Sequence, residues 1–108
     1  MINKPKFRIE RWSQVYAPNA AVLRMKLSAE GYRVTQWSDH PGLVYALHKH
    51  AEAQSHWVIS GSIEFTVGGS AYVLNAGDRD FIEAETWHSA RVVSEEENVV
   101  YLIGEKIK

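Results

Sequence analysis

The chain has 108 residues, of which 45% are hydrophobic and 23% charged, a balance that suits one globular domain with its own core and excludes a disordered chain. Twelve basic and thirteen acidic residues leave a formal charge of −1, with no run of Lys or Arg to neutralise a row of phosphates, so no nucleic-acid partner is expected. Cysteine is absent, which excludes disulfides and thiolate metal sites and leaves imidazole, carboxylate and amide oxygen as the available metal donors.

The arm over 1–17 mixes Lys and Arg with Pro, Phe and Ile and lacks the apolar core of a secretory signal. Cytoplasmic residence is the expectation. Within the arm, Phe7, Ile9 and Val15 fall on one face of an expected edge strand. A short helix is expected over about 19–30, started by Pro18 and Asn19 and stopped by Gly31. From Tyr32 onward the pattern turns to short runs of β-branched and aromatic residues separated by turn residues. Strands are expected over 32–38, 43–49, 54–60, 62–67, 71–75, 80–83, 88–94 and 99–106. Gly68-Gly69 fits a tight hairpin turn, and 38–42 and 75–78 read as further turns. No apolar stretch approaches the roughly 20 residues that cross a bilayer, so no membrane contact is expected. The reading is all-β: a single domain over 1–108, with a sandwich or barrel over about 32–106 and one helix appended.

Side chains two apart on a strand share a face, so His48 and His50 project together, as do Gln54 and His56. The spacing Gly42-x5-His48-x-His50-x3-Gln54-x6-Gly61 resembles the first motif of the cupin family, with Gln54 where the family usually has Glu. Downstream, Gly77-x5-Glu83-x-Glu85-x2-His88 resembles the second cupin motif. There Glu83 replaces a Pro, Glu85 a Gly, and Val92 a later Asn. Trp57 to Gly69 also looks like the family's strand-turn-strand. The chain thus resembles a small single-domain cupin of the conserved-barrel, RmlC-like type.

That resemblance implies a jelly-roll barrel, or double-stranded β-helix, holding one divalent transition metal through His48, His50, Gln54 and His88. Three imidazoles and a neutral amide suit Fe, Mn, Ni, Cu, Co or Zn better than Ca or Mg. Glu52, two residues before Gln54, is the rival oxygen donor. His56 shares the parity of Gln54, and two roles are open to it. It is either a catalytic acid or base (or further ligand) in the interior, or a buried histidine bonded to a strand.

His40 reads as a solvated turn residue, Asp78-Arg79-Asp80 as a polar turn, and 95–97 as a solvated acidic loop. The four tryptophans read mainly as packing residues. The resemblance further implies a homodimer. Two functions follow from it: a metal-dependent dioxygenase, isomerase or lyase acting on an oxygen-rich small molecule, or a non-catalytic module that binds a sugar or metabolite.

Overall fold

The computed structural model describes residues 6–107. In chain order they form β1 (Phe7–Glu10), α1 (Ala20–Ala29), β2 (Tyr32–Asp39), β3 (Val44–His48), β4 (Gln54–Ser60), β5 (Ile63–Val67), β6 (Ser70–Leu74), β7 (Arg79–Ile82), β8 (His88–Val92) and β9 (Val99–Lys106). Two antiparallel sheets result, one ordered β1-β7-β4-β9-β2 and the other β3-β8-β5-β6. No helix among the described residues is long and apolar enough to cross a membrane.

The helix starts and stops where its terminal residues satisfy the open backbone groups. The Asn19 side chain accepts from the Val22 backbone N–H at 3.1 Å, and the Gly31 N–H closes onto the Ser28 carbonyl at 3.0 Å. Leu23 and Leu27, one turn apart, are buried against Tyr32, Trp57 and Leu102 on the outer face of the larger sheet. The same sheet sends its other face inward. Along β4, His56 and Val58 point between the sheets while Trp57 points out to the helix, the period of two expected of a strand covered on both faces. Val58, Ile63, Phe65, Leu74, Val99 and Tyr101 form the centre of the core between the sheets. At the β5–β6 hairpin Val67 pairs with Ser70, and Gly68 and Gly69 both have positive φ, 55° and 86°. Only glycine enters such a two-residue turn without strain.

Two expectations are corrected. The arm does form an edge strand, paired with β7 from Phe7↔Ile82 to Glu10↔Arg79, but Val15 lies beyond it and is fully exposed. The segment 78–80 is not the expected polar turn, since Arg79 and Asp80 lie in β7 and Asp78, Arg79 and Asp80 are all buried. The reason is position: β7 lies inside the sheet, between β1 and β4. Each charge there is partnered, as a buried charge must be. Asp78 accepts from the backbone of Trp12 and Asn75 and from Arg11. The Arg79 guanidinium lies 4.2 Å from the Trp57 ring centroid and 4.1 Å from that of Phe81, and it donates to both oxygens of Glu30.

Candidate metal centre

The three motif histidines converge. His48 ends β3 and pairs across the sheet with His88, the first residue of β8. Their ring centroids are 4.4 Å apart, and His50 stands 4.8 Å from His48 and 5.3 Å from His88. His50 lies just past the end of β3, so strand parity alone does not place it. A hydrogen bond does: the Glu85 N–H donates to the His50 carbonyl at 2.8 Å and ties that segment to the turn before His88. Glu85 has φ 59°, the one positive φ among the described non-glycine residues. It occupies the motif position usually held by Gly, so the backbone keeps the left-handed conformation without the residue that adopts it freely.

One donor nitrogen from each ring lies within 4.8 Å of the others. Donors held at about 2.1 Å by one ion span at most about 4.2 Å, so the rings stand near the required spacing. Two rings are also fixed in the right tautomer. Nδ1 of His48 lies 2.6 Å from the Ala46 carbonyl, and Nδ1 of His88 lies 2.9 Å from that of Thr86. A carbonyl only accepts, so each Nδ1 carries the proton and Nε2 keeps its lone pair for a metal. These residues therefore fit an imidazole-bound transition ion.

Burial holds His50 below the ordinary imidazole range, helped by its neighbours His48 and His56. It pushes His88, only 2% exposed, down to about 4, with the other histidines adding to the effect and the Thr86 carbonyl opposing it. Unfolding returns His88 to about 6.5. Between about 6.5 and about 4 the unfolded chain binds more protons, so stability declines as pH falls through that window. Chelator-treated protein is expected to show a thermal midpoint that drops over this range, and less steeply in His88→Gln. Parallel midpoint curves for the two proteins would count against a buried, neutral His88.

Gln54 is buried at the start of β4 and lines the same cavity as the three histidines and His56. Glu52 lies in the preceding bend and is not part of the converging group. The cavity has a volume of about 180 Å³, and its walls include Phe65, Tyr45, Tyr101 and Ile103. A wider open groove of about 690 Å³ runs over Leu47, Gly68 and Trp87 on the outer face of the smaller sheet and touches none of the histidines. The smaller cavity is the better candidate, because four imidazoles and the Gln54 amide line it.

Two buried carboxylates stand behind its walls, and the sequence pattern revealed neither. Asp39 accepts from the hydroxyls of Tyr45 at 2.9 Å and Tyr101 at 2.7 Å, joining the two sheets. Asp80 accepts from the His56 ring at 2.9 Å and the Tyr72 hydroxyl at 2.8 Å. Burial raises the pKa of all three tyrosines, so their hydroxyls keep their protons as donors. Parity was the available signal for Asp80, which shares its face of β7 with core residue Ile82. His40 is exposed, as expected of a turn residue. Trp57 is a packing residue, whereas Trp37 and Trp87 are about half exposed.

The family model for the cupin domain matches residues 36–104. The chain belongs to the cupin family. Among curated proteins no sequence matches this cupin. Solved structures do. A conserved protein with a double-stranded β-helix domain from Klebsiella pneumoniae is 29% identical over 70% of this chain and 67% of its own, with TM-score 0.60. A cupin 2 domain-containing protein from Halorhodospira halophila is 17% identical over 95% of this chain and 77% of its own, with TM-score 0.72. The DMSP lyase DddQ from Ruegeria pomeroyi is 20% identical over 72% of this chain and 39% of its own, with TM-score 0.64. The last two likenesses are of fold.

Proposed function

We propose that this cupin is a small metal-dependent enzyme that acts on an oxygen-rich small molecule by dioxygenation, isomerisation or a lyase step. The observation that carries the reading is the convergence of His48, His50 and His88 with the Nδ1 atoms of two rings tied to backbone carbonyls. In this reading the three rings and the Gln54 amide oxygen hold one divalent transition ion, and His56 is the proton carrier. A bound ion would supply Lewis acidity toward an oxygen of the ligand.

The chain's own residues set the remaining terms. Gln54 and three neutral imidazoles leave the ion's charge uncompensated in a largely apolar cavity, which favours an anionic or ionisable oxygen ligand. Phe65, Ile63 and Ile103 line that cavity and give it apolar walls. A volume of about 180 Å³ equals roughly six waters at about 30 Å³ each, so the ligand is small or only its reacting end enters. A lyase relative at the level of fold is compatible with this choice of reaction class.

Metal analysis of protein purified without a histidine tag tests the reading. Close to one equivalent of Fe, Mn, Ni, Cu, Co or Zn per chain is expected. Metal-free protein that stays empty when offered each ion would favour the non-catalytic binding module.

A further inference from the structure

We propose that Asp80 is a positioning residue: it holds His56 in the Nδ1–H tautomer, with the Nε2 lone pair facing the cavity of His48, His50 and His88. The ring then accepts a hydrogen bond from a bound molecule rather than donating one. The ligand's side of this statement rests on the function proposed above; the tautomer does not.

The geometry around Asp80 leaves little choice. The residue is fully buried on β7. Its Oδ1 accepts from the His56 backbone N–H at 2.8 Å and lies 2.9 Å from His56 Nδ1. Its Oδ2 takes the Tyr72 hydroxyl at 2.8 Å. Two bonds from one residue to one oxygen set both the backbone position and the rotation of the ring. Tyr72 is itself held, stacked on Phe7 with ring centroids 4.9 Å apart. The His56 backbone N–H donates to Oδ1 and the Tyr72 hydroxyl to Oδ2, so both oxygens already act as acceptors, and an accepting oxygen at Nδ1 requires the proton on that nitrogen.

The far side of the ring is open. Among the described residues no buried side-chain nitrogen or oxygen lacks a partner, and no protein group bonds His56 Nε2. That atom therefore reaches the cavity the ring lines, where His88 is 6.3 Å away between centroids. A neutral histidine in water prefers the Nε2–H form, so Asp80 reverses the intrinsic order, as an outer carboxylate does for a working imidazole. It also places a negative charge one ring away from a site whose Gln54 carries none. A molecule that fits must present an O–H, N–H or acidic C–H to His56 while an oxygen faces the three histidines.

Two-bond ¹H–¹⁵N correlation spectra of the metal-free protein at alkaline pH, where the rings are neutral, test this directly. The His56 signals are identified as those missing from His56→Gln. Wild type is expected to show a protonated Nδ1 and an unprotonated Nε2; a protonated Nε2 overturns the proposal before any change at Asp80. In Asp80→Ala the Nε2–H form is expected to become the majority, and in the shape-preserving Asp80→Asn its fraction is expected to rise. A wild-type pattern in whichever of these folds shows Asp80 to be structural only. Because the experiment needs no metal, its failure leaves the metal reading standing, and failure of the metal analysis leaves this result standing.

Discussion

Changing His48 and His50 together to Ala is expected to lower bound metal from near one equivalent to less than roughly a tenth. The loss in affinity should exceed the roughly 10–100-fold that follows removal of a ligand's outer partner, because two of the three converging imidazoles disappear. Neither side chain belongs to the core: both are half-buried, His48 at the end of an edge strand and His50 just beyond it. The circular dichroism spectrum should therefore be unchanged, which separates loss of ligands from loss of fold. His88→Ala should lose metal as well, but with a stability cost, since that ring is buried and its removal leaves a cavity. Full occupancy in the folded double variant would place the ion elsewhere and remove the basis of the proposed function.

A large effect on stability is expected at Gly61. Its φ is 77°, and an added Cβ would meet the Asn98 carbonyl oxygen at 2.6 Å and the Val99 Cα at 2.8 Å. Both are backbone atoms at or just before the start of β9, an inner strand of the larger sheet, and neither can swing away. Gly61→Ala thus combines left-handed strain, about 1–3 kcal/mol, with overpacking of about 1–3 kcal/mol. A loss of about 3 kcal/mol or more is expected, a fall in thermal midpoint of at least roughly 10 °C. Gly68→Ala is the internal control. Its φ is also positive, 55°, but nothing lies within 4 Å of the added atom, so only the left-handed strain of about 1–3 kcal/mol applies. Equal midpoint shifts for the two variants would show that crowding at Gly61 is not the cause.

Much of this molecule was legible in one sequence because its signals are local. The β4 and β9 expectations, 54–60 and 99–106, coincide with the observed strands, because β-branched and aromatic residues cluster there, with Gly61 just after the first and Asn98 just before the second. The boundaries of β2, β3 and β5 to β8 fall within two residues of expectation, whereas β1 ends five residues before Val15. The helix was readable from its ends rather than its face, since Asn19 and Gly31 serve the terminal backbone groups whatever packs against the middle. The histidine spacing was legible at long range only through resemblance to a family. Parity explains why Gln54 and His56 share a cavity, but not why His50, outside its strand, faces His88. That depends on the Glu85-to-His50 backbone bond.

What stayed hidden depends on burial, which composition does not encode. Asp78-Arg79-Asp80 has the polarity of a turn, and only the placement of β7 between two other strands turns it into a set of buried, partnered charges. Asp39 looked like part of a turn as well, until folding brought the Tyr45 and Tyr101 hydroxyls onto one of its two oxygens. By itself the sequence determined the all-β class, the one capped helix, the absence of thiolate chemistry and the list of imidazoles. Tertiary structure alone decided which carboxylates are enclosed and which ring nitrogens keep a free lone pair. Both follow from contacts between residues far apart in the chain, such as Asp80 with His56, whose strength exists only once water has been excluded from between them.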